Sequence, residues 1–185
     1  ARAFNVFNPE DNVRMVFKIN MNYQPSFDAK SYLLSLVKPE LHSKVSIIVD
    51  FLSDEQLAEL YQSADVQVLP SKGEAFSQNV LEGLACGVPC IVTNWSGYLD
   101  YTLPEFSYFI PVEKRILAHY GSFDVSCGSV WVQPDIVALK QIMQYCYKNP
   151  DETRRRGELA SRFVHSRFKW SDQSRLTIQE INRFL

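Results

Sequence analysis

Two glutamates, Glu74 and Glu82, stand in a stretch of sequence that suits the binding of a phosphorylated sugar. Glu74 falls in a loop after a predicted strand, and Glu82 falls about a turn and a half into the next predicted helix. The first backbone N–H groups of a helix have no partner within the helix, and they favour an anion. Carboxylates accept hydrogen bonds from hydroxyl groups, often two at a time. The pattern therefore suits a diphosphate at the helix start, with sugar and ribose hydroxyl groups bound on either side.

The alternative for a pair of glutamates on a loop and a helix is solvated surface charge. Here the predicted helix around Glu82 is largely apolar, with Val80, Leu81, Leu84 and Ala85 as its neighbours. A carboxylate on a mostly buried helix needs a partner that offsets its loss of water. The sequence therefore predicts that Glu82 is hydrogen-bonded, within the protein or to a ligand.

Strands and helices alternate over the first half of the chain. Apolar runs predict strands at 13–19, 45–49, 66–69 and 90–93, and helical spacing predicts helices at 28–37, 53–63 and 77–86. Ser53 followed by Gln56 is a capping-box pattern, and Gly87 suits a helix end. Alternating strands and helices indicate parallel strands with crossover helices. The predicted fold is α/β, a Rossmann-like doubly wound parallel sheet.

The second half of the sequence predicts a weak region followed by a helical C-terminal tail. Residues 105–132 give a single expected strand at 108–110 within a long irregular excursion. Three helices are expected at 134–147, 150–168 and 171–185, with Pro134 and Pro150 near the first helical position. In sheets of this class, ligands bind beyond the carboxyl ends of the strands. Those ends fall near Lys18, Asp50, Ser71 and Asn94.

Composition excludes several classes of function. The 185 residues carry a formal net charge of −2, which argues against a nucleic-acid-binding protein. No apolar run approaches the ~20 residues that a membrane span needs, and no signal peptide opens the sequence. Cys86 and Cys90 lie in an apolar run, and none of the four cysteines stands at metal-ligand spacing. Reduced core thiols and a cytoplasmic location are expected.

The Glu74–Glu82 stretch resembles the Glu-x7-Glu signature of the retaining GT-B glycosyltransferases of family 4. Three further segments resemble that family in the right order: 54–66 before the signature, 82–92 after it, and 154–160 with 168–171 near the end. The resemblance covers nearly the whole chain. It implies that the chain is the C-terminal, donor-binding half of a GT-B fold, spanning 1–185 as one nucleotide-sugar-binding domain.

The resemblance also implies a role for each matched residue. Glu74, the expected catalytic residue, would contact the transferred sugar, and Glu82 would hold the ribose hydroxyls. Donor contacts are further expected from residues around them and from two more strand ends: Ala75, Phe76, Ser77, Gln78, Asp50, Phe51 and Lys18. Asp50 and Phe51 would lie beside the base of a UDP- or GDP-linked sugar. No metal or other cofactor is implied, and the leaving phosphate would help to deprotonate the acceptor.

This sequence departs from the family pattern in two ways. Many relatives have glycine where Ala75 and Ser77 stand, and a β-carbon there narrows the approach of a ligand to the backbone. The first strand of the domain, the basic pair that binds the diphosphate and the acceptor-binding N-terminal domain all precede this sequence in relatives. Lys18 and Lys72 are the substitutes for the basic pair. The chain is not expected to turn over on its own.

Two other functions remain open at this point. One is a GT-B sugar phosphorylase or synthase, which is distinguished from a glycosyltransferase by the identity of the sugar donor. The other is a non-catalytic GT-B-like binding module. The resemblance to bacterial relatives associates the chain with polysaccharide biosynthesis. A basic stretch near the end indicates either a solvated helix face or a peripheral contact with an anionic membrane: Arg154, Arg155, Arg156, Arg162, Arg167 and Lys169.

Overall fold

A computed structural model of the chain describes residues 1–20, 27–118 and 128–184. The strands in these ranges are β1 (Met15–Lys18), β2 (Val45–Ile48), β3 (Gln67–Leu69), β4 (Cys90–Thr93), β5 (Ser107–Ile110), β6 (Val112–Leu117) and β7 (Val130–Pro134). The α-helices are α1 (Ala29–Ser35), α2 (Asp54–Gln62), α3 (Gln78–Ala85), α4 (Ile136–Lys148), α5 (Pro150–Arg167) and α6 (Trp170–Ile181). Short 3-10 helices span Arg2–Val6, Pro39–Lys44 and Gly97–Asp100.

The first five strands are all parallel, as the sequence predicts. β1 pairs with β2, and β3, β4 and β5 form a second set in that order. The register sets Val68 beside Ile91 and Ile91 beside Tyr108. The carboxyl ends of these neighbouring strands therefore reach the same edge of the sheet. The mixed α/β fold with parallel strands and a helical C-terminal region is confirmed.

Side chains of β4 alternate between two hydrophobic clusters. Ile91 belongs to a cluster with α4 and the first 3-10 helix, while Cys90 and Val92 belong to a cluster with α3 and α5. All four residues of β4 are buried. Since successive residues of a strand point to opposite faces, both faces of this part of the sheet are covered. The doubly wound architecture follows from that burial.

β1 and β3 each have one edge without a strand partner among the described residues. β1 pairs only with β2, and β3 pairs only with β4. Residues of both sets nevertheless meet in one cluster, in which Met15 and Val45 pack against the core that contains Val68 and Ile91. The two sets of parallel strands thus share a core, and neither free edge is satisfied by a strand in the described ranges.

Two helix signals in the sequence are confirmed. Ser53 accepts a hydrogen bond from the backbone N–H of Gln56, and the Gln56 side chain completes the capping box at the start of α2. Pro150 occupies the first turn of α5. Pro134, in contrast, ends β7, and Asp135 caps α4 by accepting bonds from the N–H groups of Val137 and Ala138. The expected helix start at Pro134 was wrong because an aspartate cap next to it defines the boundary.

The region expected to be irregular holds an antiparallel hairpin. β6 pairs with β7, so that Ile116 lies opposite Trp131. The prediction missed it because β6 places Glu113, Lys114 and Arg115 in a row, all exposed. A run of charges interrupts the alternation of apolar and polar residues by which half-buried strands are recognised. Residues 119–127, between the two strands, lie outside the described residues.

The cysteines behave as core thiols. Cys86, Cys90 and Cys146 are free, and Cys90 and Cys146 are buried. Burial raises the pKa of the Cys90 thiol to about 11, so the unreactive thiol form dominates near neutral pH. Cys127 lies outside the described residues.

The last helix carries an exposed apolar face. Trp170 is 86% exposed, and four other large apolar side chains of the C-terminal segment are at least about half exposed: Leu176, Ile178, Ile181 and Phe184. None of the residues of α6 is buried. These residues form an exposed apolar patch on the C-terminal segment, while Leu185 lies outside the described range. No helix in the described part of the chain is long and apolar enough to cross a membrane.

Candidate functional site

Glu74 lies in the loop between β3 and α3 (residues 70–77, the Glu74 loop), at the carboxyl edge of the sheet. Its carboxylate is partly buried and accepts a hydrogen bond of 2.7 Å from the Ser71 hydroxyl. One short hydrogen bond leaves most of the acceptor capacity of a carboxylate unused. Glu74 can therefore accept bonds from the hydroxyl groups of a ligand while Ser71 holds its orientation.

The backbone of Glu74 is held by a second loop, which follows β4 (residues 94–97, the Ser96 loop). The N–H of Glu74 donates to the Ser96 hydroxyl at 2.6 Å, and that hydroxyl donates in turn to the carbonyl of Glu74. The N–H of Gly97 donates to the same carbonyl at 3.1 Å. A β-carbon at Gly97 would lie 1.6 Å from the carbonyl oxygen of Ala75. Only glycine allows this approach, so the two loops are fitted to one another.

Two residues of the site have positive φ although they are not glycine. Ser77 has φ 65° and Ser96 has φ 87°. Such backbone costs on the order of 1–3 kcal/mol and persists only where the surroundings enforce it. Backbone of this kind is often found at ligand-binding positions. Here it occurs at Ser77, which follows Glu74 in the same loop, and at Ser96, whose hydroxyl bonds the backbone of Glu74. Ser77 stands where many relatives have glycine, and it adopts the conformation for which glycine is favoured.

The start of α3 presents unpaired backbone donors. Ser77 precedes the helix without capping it through its side chain. Among the described residues, no acceptor bonds the backbone N–H groups of Phe76 or Ser77. Meanwhile the buried hydroxyl of Tyr101 donates to the carbonyls of Phe76 and Ser77 at 2.6 and 2.7 Å. With the carbonyls engaged in this way, the N–H groups remain available for an anion.

Glu82 has the hydrogen-bond partners that its position requires. Gln78 donates from its side chain to one carboxylate oxygen at 2.9 Å, and the Tyr61 hydroxyl donates to the other at 3.4 Å. Burial and the nearby charge of Glu82 raise the pKa of Tyr61 well above its ordinary value. Tyr61 therefore stays protonated and remains a donor. Both contacts orient the carboxylate and still leave it able to accept ribose hydroxyls.

Replacing Tyr101 with phenylalanine is expected to lower the free energy of unfolding by about 1–2 kcal/mol, because the partly buried carbonyl of Phe76 loses its donor and that of Ser77 keeps only backbone N–H donors of α3. Tyr98→Phe is the matched control. The Tyr98 side chain is fully buried, and its hydroxyl makes no hydrogen bond of normal geometry among the described residues. Its removal should change stability by less than about 0.5 kcal/mol. Urea unfolding of the two variants tests this, and equal losses would contradict the role given to Tyr101.

Lys18, Asp50 and Phe51 lie at the ends of β1 and β2, away from these contacts. Lys18 donates to the carbonyl of Ile19, and Phe51 is 93% exposed. No hydrogen bond or ring contact among the described residues joins these three to the Glu74 loop or to α3. The structure thus groups Glu74, Phe76, Ser77, Gln78 and Glu82, and it leaves Lys18 and the expected base-side residues Asp50 and Phe51 at the ends of the other pair of parallel strands.

Sequence reasoning missed the residues that hold the site. Ser71, Ser96 and Tyr101 were not predicted, although Ser71 and Ser96 lie two and three residues beyond the ends of β3 and β4, which is a usable signal. Tyr98 is a packing residue in the core. Trp95 is partly buried, with the Arg115 guanidinium 5.2 Å from the centre of its ring. Within the described ranges, no group of three potential metal ligands occurs, and independence from metal stays a prediction.

The basic stretch of α5 is partly neutralised within the helix. Glu152 pairs with Arg155 at 2.7 Å and with Arg156 at 2.9 Å. These two bonds lower the pKa of Glu152 to about 2. Arg156 also donates to the carbonyls of Pro104 and Ser107. Arg156 therefore serves the fold, and a membrane contact of the remaining cations stays a prediction.

Comparison with known proteins gives relatives with one common activity. The chain is 31% identical over 127 residues to the MMP alpha-(1->4)-mannosyltransferase of Mycolicibacterium hassiacum, covering 69% of this chain and 26% of that protein. It is 28% identical over 126 residues to the D-inositol 3-phosphate glycosyltransferase of Streptomyces coelicolor, covering 68% and 23%. The chain thus spans about a quarter of the length of these relatives.

Solved structures of GT-B glycosyltransferases share the fold. Sucrose-phosphate synthase from Thermosynechococcus elongatus matches with a TM-score of 0.71 at 21% identity, over 92% of this chain and 38% of that one. Anabaena HepE in complex with UDP matches with a TM-score of 0.73 at 14% identity, over 98% and 43%. The family model described as "Glycosyl transferases group 1" matches residues 28–160, which contain the Glu74 loop and α3. The chain belongs to the group 1 glycosyl transferases.

Proposed function

We propose that the chain supplies the donor site of a retaining glycosyltransferase of family 4 that uses a UDP- or GDP-linked sugar. The observation that carries the proposal is the start of α3, where the backbone N–H groups of Phe76 and Ser77 bond no acceptor among the described residues and Glu74 and Glu82 stand on either side of them in sequence. A nucleotide sugar has hydroxyl groups on both sides of a diphosphate. The complex of the structural neighbour HepE with UDP supports a nucleotide at this fold.

In this proposal each part of the donor has its own partner. Glu74 binds hydroxyls of the transferred sugar, and Glu82 binds the ribose. The backbone from Ala75 to Gln78 faces the diphosphate, while Asp50 and Phe51 lie beside the base. Phe51 is almost fully exposed, and a nucleobase stacked on its ring would cover apolar surface. Lys18 and Lys72 are the cations of this chain proposed to approach the phosphates.

The chemistry follows from where charge develops. When the bond between sugar and phosphate breaks, negative charge grows on the leaving diphosphate. The positive end of the α3 dipole and the free N–H groups stabilise that charge without reorganising, because the backbone is already held by Tyr101. Retention of the anomeric configuration requires the acceptor to attack from the side on which the phosphate leaves. The phosphate oxygen then takes the proton of the acceptor, and neither a metal nor a further protein base is needed on this half.

We propose that further parts of a longer protein complete the site. The free edges of β1 and β3 suit one more parallel strand, giving the order β2, β1, new strand, β3, β4, β5. The exposed apolar face of α6 suits burial against an acceptor-binding domain. Relatives about four times longer than the matched segment support both additions.

Ligand-observed NMR of the chain with UDP-glucose, GDP-mannose, UDP and GDP tests the proposal. Ligands of one of the two nucleotides, UDP or GDP, are expected to bind at millimolar concentration. The sugar-linked form of that nucleotide is expected to bind more tightly than the bare diphosphate. In a longer protein that turns over, NMR of the product would give the anomeric configuration, and inversion would contradict the retaining mechanism.

The same measurement separates the alternatives. A phosphorylase or synthase predicts binding of the donor but a different reaction in the longer protein. A non-catalytic module predicts no affinity for any of the four ligands, or affinity that does not depend on Glu82. The absence of binding to both this chain and a longer form that contains the additional strand would rule out the proposal.

A further inference from the structure

The β6–β7 hairpin is the part of the structure that neither the sequence analysis nor the proposed function accounts for. It begins directly after the carboxyl end of β5, and its base is closed where the N–H of Asp135 donates to the carbonyl of Pro111 at 3.0 Å. β6 is largely exposed, whereas Val132 of β7 is fully buried. The hairpin therefore packs on the rest of the domain through β7, at the edge of the sheet that carries the site.

β7 makes direct contact with the Glu74 loop. The N–H of Val132 donates to the carbonyl of Lys72 at 3.0 Å. This backbone hydrogen bond joins the Glu74 loop to β7. Cδ1 of Trp131 would lie 3.1 Å from a β-carbon at Gly73. The ammonium group of Lys72 lies 5.9 Å from the centre of the same indole ring. The two residues that precede Glu74 are thus held against the face of Trp131.

β6 reaches the second loop that holds Glu74. The Arg115 guanidinium lies 5.2 Å from the centre of the Trp95 ring, within cation–π range. Trp95 immediately precedes Ser96, whose hydroxyl bonds both the N–H and the carbonyl of Glu74. One strand of the hairpin therefore supports the Glu74 loop, and the other supports the Ser96 loop.

Resting on the proposed role of Glu74, we propose that Trp131 is a positioning residue that fixes the carboxylate for the donor sugar. Ser71 and Ser96 fix the side chain and the backbone of Glu74, but Lys72 and Gly73 are exposed. Without the indole, Lys72 and Gly73 regain backbone freedom. Ordering them on binding then costs conformational entropy, which lowers the affinity for the ligand. Trp131 removes that cost before the donor arrives.

Trp131→Ala tests the proposal in the chain as it stands, with Trp131→Phe as the conservative variant. Trp170→Ala is the matched control, since it removes a tryptophan that is 86% exposed on α6. The first readout needs no ligand. Hydrogen exchange of the Glu74 and Val132 amides is expected to rise about tenfold in Trp131→Ala and to stay near wild type in the other two variants.

The second readout compares a nucleotide sugar with its bare nucleoside diphosphate: UDP-glucose with UDP, and GDP-mannose with GDP. Trp131→Ala is expected to weaken the sugar-linked ligand about tenfold and the diphosphate less than twofold, because only the sugar meets Glu74. Trp131→Phe should retain most of the affinity. Adding Trp131→Ala to Glu74→Ala should cause little further loss, since Trp131 acts only through the Glu74 carboxylate.

Three outcomes would overturn the role of Trp131. These are an unchanged exchange rate at Glu74, an equal loss for the sugar-linked and bare ligands, and losses that add in the double variant. If neither wild type nor the longer form with the additional strand binds any of the four ligands, the proposed function fails, and the exchange of the Glu74 amide still decides whether Trp131 positions it.

Discussion

Glu82→Ala is expected to lower the affinity of the chain for nucleotide sugar and for bare nucleoside diphosphate alike, by about 100-fold. The proposed ribose contact consists of two hydrogen bonds to a charged acceptor, and each contributes about 1.5–3 kcal/mol. The loss of both gives at least ~3 kcal/mol, which is about two powers of ten in the dissociation constant. Isothermal titration calorimetry with UDP, GDP and their sugar-linked forms measures it.

Two further variants identify what Glu82 does. Glu82→Gln keeps the size and loses the charge, so an intermediate loss is expected. Glu74→Ala is expected to weaken only the sugar-linked ligand, since the proposed partner of its carboxylate is the transferred sugar. Glu59→Ala, at an exposed position on α2, is the matched control and should change nothing. Undiminished binding of the bare diphosphate by Glu82→Ala would show that Glu82 does not hold the ribose.

The part of the fold that could be predicted is the part in which local signals agree. β4 is an apolar run that ends at Thr93, and all four of its residues are buried between two layers. α2 begins at a capping box that was visible as Ser53 and Gln56. In both cases a few neighbouring residues fix the outcome, so the sequence is sufficient.

The hairpin could not be predicted because its stability comes from distant contacts. Val132 is fully buried, and its N–H donates to the carbonyl of Lys72, in a loop that is about sixty residues away in sequence. Arg115 is exposed, and in the sequence it indicates only a charged segment. Its contact with Trp95 depends on the sheet bringing the ends of β4 and β5 together.

The candidate site divides in the same way. Glu74 and Glu82 were predicted because their types and spacing suggest chemistry. Ser96 and Tyr101, which hold the backbone around Glu74 and Ser77, were not predicted because a serine and a tyrosine have no functional signature of their own. Their role depends on the path of the chain after β4. Ser96 adopts a strained backbone conformation with positive φ at this turn.

Gly157→Ala is expected to destabilise the chain by about 3 kcal/mol, the upper range for overpacking in a core. Gly157 lies in α5, where a β-carbon would be 1.9 Å from the carbonyl oxygen of Gly87 and 3.1 Å from the ring of Pro89. These are backbone and ring atoms, which cannot rotate away. Alanine stabilises a helix interior by about 1 kcal/mol relative to glycine. A net decrease in the free energy of unfolding would therefore come from the steric contact alone.

Gly128→Ala is the control for this substitution. Gly128 has φ 80°, and no atom of the described residues lies within 4 Å of its would-be β-carbon, so only backbone strain of about 1 kcal/mol is expected there. Urea unfolding of both variants gives the comparison. A loss at Gly157 no larger than that at Gly128 would mean that α5 can move away from Gly87 at little cost.

The effect of Gly157→Ala should also reach the proposed donor site. Gly87 directly follows the C-terminal end of α3, and Ser161 of α5 donates to the carbonyl of Ala85 at 2.9 Å. A shift of α5 therefore pushes on the end of α3 opposite to its free N–H groups. Helices move as rigid bodies in a close-packed core, so displacement at Gly87 is transmitted to Ser77. Folded Gly157→Ala is expected to bind bare nucleoside diphosphate more weakly than wild type, whereas folded Gly128→Ala should bind it equally well.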